Sequence, residues 1–327
     1  MQQRGEGRGP LSYSLAADRC GTKQRSGRII FGMGENVIGV FEGGGIRGIA
    51  SAGAAAAAMD SGYVFERVVG TSAGAMVGAL VAAGYSAGEL RSIVCDVDWP
   101  GLMDADFVAR IPAIGRRLAM LRSNGIFMGK EIERTWNELL GRRGIRTFAD
   151  LVAADSPTTT FRVIVTDVTH VRGLVLPDDL EKLGRTPEST SVAWAVRASS
   201  AVPFVFRPVK VKVKGHETLL IDGAMAANFG LRVVDMSAGL PILGFRFETG
   251  TSEEDHRLIN GPVSYAAAVV ASGIKARDAL GSLPNVEAHV IVVPATRDPL
   301  DFDITKDEAA QMFDEGYEAT SQQLANS

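Results

Sequence analysis

Apolar runs and glycine-broken stretches alternate through the N-terminal part of the chain, and their spacing predicts its elements. Asn36-Val37-Ile38-Gly39-Val40-Phe41 is apolar from Val37 on and partly β-branched, and it reads as a buried strand. It enters Glu42-Gly43-Gly44-Gly45-Ile46-Arg47-Gly48, and an Ala-rich helical pattern continues to about Asp60. Residues 65–69 repeat the strand signal. Gly70-Thr71-Ser72-Ala73-Gly74 then turns into a second Ala-rich helix that runs through Gly84. The order is strand, glycine loop, helix, strand, tight turn, helix. Such alternation predicts a three-layer α/β/α fold, with a central, mostly parallel sheet covered by helices on both faces.

Further on, residues 86–155 carry helical patterns broken at Pro100, Pro112, Gly125 and Gly141. Strand signals follow at 162–166, 173–176, 209–213, 219–221, 242–247 and 290–293, with helical patterns near 190–200, 262–280 and 306–325. Residues 1–28 are polar, rich in Gly and Arg and without period, which predicts a disordered arm ahead of a single domain over 34–327. No internal repeat or long low-complexity linker interrupts that domain. Residues 68–88 carry no charge and reach the length of about 20 residues that a bilayer requires. They also contain Gly70, Gly74, Gly78, Gly84 and Gly88 and few large apolar side chains, which fits a buried strand and a closely packed helix instead.

Charge and cysteine content narrow the setting. The 327 residues hold 34 Lys and Arg against 38 Asp and Glu, a net charge of −4, so no basic field points to nucleic acid. The charge is uneven: Arg4, Arg8, Arg19, Lys23, Arg25 and Arg28 lie in the arm, and the tail is acidic from Asp301 to Glu318. Cys20 and Cys95 are the only cysteines, too few for a disulfide framework or thiolate zinc site. The N-terminus lacks the apolar core of a signal peptide, so a cytoplasmic location is expected.

Chemistry concentrates at two glycine motifs. Gly70-Thr71-Ser72-Ala73-Gly74 has the G-x-S-x-G form and stands in the strand–turn–helix context of a nucleophile elbow. Ser72 would sit at a helix N-terminus, where free amides favour developing negative charge. The string alone is weak evidence, since roughly 0.3 chance matches are expected in a chain of this composition. Gly43, Gly45 and Gly48 satisfy G-x-G-x-x-G, the dinucleotide fingerprint, which would make the chain a nicotinamide-binding oxidoreductase. That fingerprint also needs an acid at the end of the next strand, where this chain has Gly70-Thr71-Ser72. The same loop can instead aim backbone amides of Gly44, Gly45 and Ile46 at one point as an oxyanion hole for a serine on the adjacent strand.

Ser72 also needs a base. His256 or His289 after Asp222 would give the chain order of an α/β-hydrolase triad. His170 and His216 lie in polar turns, His256 in a charged stretch and His289 at the start of a strand. Asp222 differs, because Leu219-Leu220-Ile221 delivers it from an apolar strand to the abrupt turn at Gly223-Ala224. The carboxyl ends of strands are where open α/β sheets place their sites.

Together these residues resemble the patatin-like phospholipases, lipid acyl hydrolases with a Ser–Asp dyad. The resemblance is carried by Gly43-Gly44-Gly45-Ile46-Arg47-Gly48, Gly70-Thr71-Ser72-Ala73-Gly74 and Asp222-Gly223-Ala224, in the family's order. Arg197-Ala198-Ser199-Ser200-Ala201-Val202-Pro203 and Thr166-Asp167-Val168 resemble further family blocks, so the likeness spans about residues 36–325. The glycine–arginine string is the specific part, with roughly 0.003 chance matches expected. Ala224, where the family often has glycine, and Gly230, where proline commonly follows Asn228, depart from the pattern outside the reacting groups.

The resemblance implies Ser72 as nucleophile, Asp222 as base and the Gly43–Gly48 loop as oxyanion hole, without cofactor or metal. It also implies membrane phospholipid or another acyl ester as substrate, with peripheral contact at the inner membrane face; no protein partner is indicated. A lipid-binding relative without catalysis is the alternative within the same family. Ile111, Ile114, Leu118 and Leu121, beside Arg110, Arg116, Arg117 and Arg122, form an amphipathic pattern that would suit a membrane-touching cover or a helix docked on the core.

Overall fold

The structure is a computed structural model that describes residues 35–105, 124–152, 159–234, 239–248 and 288–326, with Ala268, Ser272 and Gly273. The arm expected at 1–28, the amphipathic stretch at 110–122, His256 and most of the helical pattern at 262–280 lie outside the described residues.

Strand β1 (Asn36–Phe41) enters the glycine loop and α1 (Gly48–Asp60) leaves it. β2 (Val64–Thr71) returns beside β1, and α2 (Ala73–Ala82) leaves the elbow, followed by α3 (Ala87–Asp96). Next come β3 (Gly125–Phe127), α4 (Lys130–Gly141), β4 (Phe161–Asp167), β5 (Arg172–Leu176), α5 (Val192–Ser199), β6 (Phe204–Phe206), β7 (Val209–Val213) and β8 (His216–Asp222). α6 (Ala224–Ala227), β9 (Ile242–Phe247), β10 (Ala288–Val293) and α7 (Lys306–Ala325) complete the described elements.

The main sheet has the order β10-β9-β1-β2-β4-β8-β7, with β5 also paired to β4. β10, β9, β1, β2 and β4 are parallel, whereas β8, β7 and β5 add antiparallel pairings. The expected α/β sheet is therefore present, with an antiparallel margin. That margin creates the site. β5 pairs with Val163–Asp167 along one edge of β4, so β2 and β8 must share the other edge. β2 occupies it over Phe161–Ile164 and β8 over Val165–Asp167. The two strands run toward each other along that edge, and the end of β2 meets the end of β8.

Alternation along the central strands divides the core between two faces. Ile38, Val40, Val69, Ile164 and Ile242 cluster with Leu231 and Val234 on one face. On the other, Phe41 stacks on Phe245 with ring centroids 4.7 Å apart. α1 is buried almost all round, packed against α2, α3 and α7. Its Ala-rich sequence follows from that position, since small side chains let several helices approach one another closely. Burying a large apolar side chain such as Phe41 contributes about 1.5–3 kcal/mol.

Each predicted strand is present, several of them longer at their ends. The helical expectation over 86–155 is corrected: among the described residues helix is confined to α3, α4 and short 3-10 turns, and Gly125–Phe127 is a strand paired with Phe204–Phe206. Three-residue strands are too short to display a period of two, so neither had a sequence signal. The stretch 68–88 is interrupted at Ser72 between β2 and α2, and no helix among the described residues is long and apolar enough to cross a membrane.

Candidate active site

The head-on meeting of β2 and β8 brings Ser72 and Asp222 together. Ser72 Oγ donates a 2.6 Å hydrogen bond to Asp222 Oδ2. Both residues are buried, at 5 % and 3 % exposure. Ser72 has φ 53° and ψ −121°, a region that side-chain-bearing residues rarely adopt. Holding it there costs on the order of 1–3 kcal/mol and turns the chain abruptly from β2 into α2. Gly74 makes the turn possible by close approach, since a Cβ there would lie 2.2 Å from the Phe41 carbonyl oxygen.

Hydrogen bonds hold Asp222 on all sides. Its Oδ1 accepts from the Ala224 amide at 2.8 Å, and its own amide donates to the Ala201 carbonyl at 3.0 Å. Thr166 Oγ1 donates to its carbonyl at 2.9 Å, and the Gly223 amide donates to the Ser199 carbonyl at 3.2 Å. Burial pushes the Asp222 carboxyl from an ordinary 3.8 up to about 6, against the opposing pull of the bonds from Ser72 and Ala224. A carboxylate in that range can take a proton near neutral pH far better than an exposed aspartate.

The glycine loop lies beside the pair. The Gly43 amide donates to the Asn228 carbonyl, Ile46 to the Pro299 carbonyl and Arg47 to the Gly44 carbonyl. The amides of Gly44 and Gly45 have no hydrogen-bond partner among the described residues, so of the amides expected to converge, those two remain unengaged and Ile46 does not. Gly45 has φ 59° and lies against the Pro299 carbonyl, where a Cβ would come within 1.8 Å of the oxygen. Arg47 Nε donates to the Arg297 carbonyl at 2.6 Å, which fastens the loop to the segment before α7. Beside the loop a small apolar cavity of about 20 Å³ is lined by Gly45, Gly48, Ala73, Met76, Trp99 and Trp136.

Other candidates lie elsewhere. Among the described residues neither Ser72 nor Asp222 bonds a histidine. His170 Nδ1 pairs with Asp167 Oδ2 at 2.7 Å in the β4–β5 turn. His216 begins β8, the end opposite Asp222, and His289 sits in β10, three strands from β2. Glu66, the nearest acid to a dinucleotide pattern, bonds Asn36 at the starts of β1 and β2, away from the loop.

Three residues near the pair carried no separate prediction. Ser199 Oγ accepts the Ser72 amide at 2.8 Å and donates to the Ile164 carbonyl at 2.6 Å. Glu42, 5 % exposed, accepts from the Asn228 side chain and the Phe247 amide. A signal for Glu42 was present: a carboxylate directly after an otherwise apolar strand is out of place unless it has partners. Arg197, in the block before Asp222, is a buried guanidinium that donates to the carbonyls of Met128 and Arg207 and so ties β3 and β6 to α5.

Comparison with known families matches residues 39–235 to "Patatin-like phospholipase". The uncharacterized protein YqhO of Bacillus subtilis is 32% identical over 256 residues, covering 78% of this chain and 86% of its own length. An uncharacterized NTE family protein of Mycobacterium tuberculosis, Rv2565, is 29% identical over 199 residues, which are 60% of this chain and only 27% of that protein. Among solved structures, VipD from Legionella pneumophila has a similar fold, with a TM-score of 0.53 at 18% identity, covering 90% of this chain and 67% of that one.

Proposed function

This chain belongs to the patatin-like phospholipase family, a family of lipid acyl hydrolases, and from that premise we propose that it cleaves acyl esters of phospholipids or lysophospholipids through an acyl-enzyme on Ser72. The observation that carries the reading is the buried 2.6 Å bond from Ser72 Oγ to Asp222 Oδ2.

Asp222 takes the Ser72 proton as Oγ attacks the ester carbonyl. The carbonyl oxygen becomes an oxyanion held by the Gly44 and Gly45 amides, one such donor contributing about 2.7–4 kcal/mol. As the tetrahedral intermediate collapses, the protonated Asp222 gives its proton to the leaving alcohol oxygen. Water then enters and attacks the acyl carbon as Asp222 takes its proton; the bond from that carbon to Ser72 Oγ breaks, Asp222 returns the proton to Oγ, and the fatty acid leaves with both residues restored. Burial of Asp222 supports this role because it lifts the carboxyl toward the working pH while the bonds from Ser72 and Ala224 keep its ionised form accessible. The substrate reaches the site from a membrane surface by peripheral contact.

The reading is tested by fatty-acid release from phospholipid vesicles and from lysophospholipid micelles, followed by mass spectrometry. Release by wild type that Ser72→Ala and Asp222→Asn lose supports it. Equal release by wild type and Ser72→Ala would contradict it.

A further inference from the structure

Glu42 directly follows β1 as a buried carboxylate, beside the loop that is to hold a negatively charged oxygen. An uncompensated carboxylate there would oppose that charge, so its presence requires a reason. Its bonds supply one. Oε1 accepts from Asn228 Nδ2 at 2.9 Å, and Oε2 accepts from the Phe247 amide at 2.6 Å. Arg246 Nε lies 3.8 Å from Oε1, placing a positive charge against the carboxylate. Asn228 directly follows α6, the short helix that begins two residues after Asp222. Its backbone carbonyl accepts the Gly43 amide at 3.2 Å, so the pair is joined by main chain and side chain alike. Thr71 Oγ1, beside the nucleophile, donates to the neighbouring Ala227 carbonyl at 3.0 Å.

From this arrangement we infer that Glu42 is a positioning residue, whose carboxylate fastens the Gly43–Gly48 loop through Asn228 to the turn that carries Asp222. The inference rests on the acyl-hydrolase reading above. The loop and the Asp222 turn belong to different parts of the chain, and the Gly44 and Gly45 amides are useful only at a fixed distance from Ser72. Two acceptor oxygens on one side chain, each bonded to a different segment, fix that distance. A glutamine at the same place has one acceptor oxygen, so it can bond both segments only if the Asn228 amide turns over, which moves the loop's anchor.

The test uses Glu42→Ala, Glu42→Gln and Asn228→Ala in the full chain, with turnover of a p-nitrophenyl ester and inhibition by a trifluoromethyl ketone, which forms an oxyanion on Ser72. Each variant is expected to lower kcat by on the order of 10²-fold, as for small displacements of catalytic groups, with KM little changed. Ketone affinity falls in proportion to kcat/KM, and the rising limb of the rate–pH profile stays where Asp222 sets it. The Glu42→Ala, Asn228→Ala double variant falls no further than the worse single one. Should Glu42→Ala fail to fold, Asn228→Ala, which leaves the buried strand intact, carries the same comparison. Folded variants with wild-type kcat, additive losses, or a displaced pH limb would overturn the inference while leaving the hydrolase reading in place. Absence of wild-type turnover on every ester would overturn both.

Discussion

The Ser199 hydroxyl accepts the Ser72 amide at 2.8 Å, so the backbone N–H of the proposed nucleophile is engaged in holding the elbow. In the proposed mechanism the Ser72 amide is therefore not a donor to the oxyanion, a role assigned there to the Gly44 and Gly45 amides. The same hydroxyl donates to the Ile164 carbonyl, and Ser199→Ala strands a buried donor and a buried acceptor together. A loss of about 1–3 kcal/mol in unfolding free energy is expected, measured by urea denaturation. Turnover should fall as well, because the strained Ser72 backbone loses a restraint.

Asp222 makes activity and stability oppose each other. Its carboxyl titrates near 6 in the folded chain against an ordinary 3.8, so the native state binds the proton more tightly than the unfolded state does. Stability is therefore lost as pH rises from about 4 to about 6, and the deficit is complete above that. Asp222→Asn carries no such deficit. At pH 7 it should be more stable than wild type by on the order of 2 to 3 kcal/mol, with the gap closing below pH 4. Thermal denaturation of both proteins across that range checks the sign.

In the proposed mechanism the same titration governs the rate profile. Only ionised Asp222 can accept the Ser72 proton, so kcat/KM should rise with pH through a midpoint of about 6 and then level. A histidine relay would also give a limb in this region, but one of His170→Ala, His216→Ala, His256→Ala and His289→Ala would then shift or abolish it. Each of these variants is expected to keep the wild-type profile.

Gly45→Ala places a Cβ 1.8 Å from the Pro299 carbonyl oxygen at a residue with φ 59°, so the loop must move. Misplacing an oxyanion donor should lower kcat by about 10²–10³-fold. Gly88→Ala is the control: nothing lies within 4 Å of its Cβ position, on an exposed turn of α3. That change should leave kcat unaltered and add roughly 0.5–1 kcal/mol of stability.

The parallel half of the sheet was readable because each of its strands carries an apolar or β-branched run, and the glycine motifs fall where close backbone approach demands them. Ser72 and Asp222 could be singled out because each stands at the end of an apolar strand, in a turn too tight for larger neighbours. Their pairing was implied only by the family resemblance, since the contact itself depends on β2 and β8 sharing one edge of β4, a register that no local pattern carries. Gly125–Phe127 and Phe204–Phe206 were missed for want of length. Ser199 and Glu42 were in view as letters, but their roles come from partners 127 and 186 residues away along the chain, in Ser72 and Asn228.

The central claim, that Ser72 is a nucleophile activated directly by Asp222, is tested most directly by intact and peptide-level mass spectrometry after a fluorophosphonate pulse. A single covalent adduct is expected on Ser72 in wild type, none in Ser72→Ala, and labelling slowed by at least a hundredfold in a folded Asp222→Asn, in line with about 10²–10⁴-fold for general-base catalysis. An adduct on another residue, or wild-type labelling of Asp222→Asn, would contradict it.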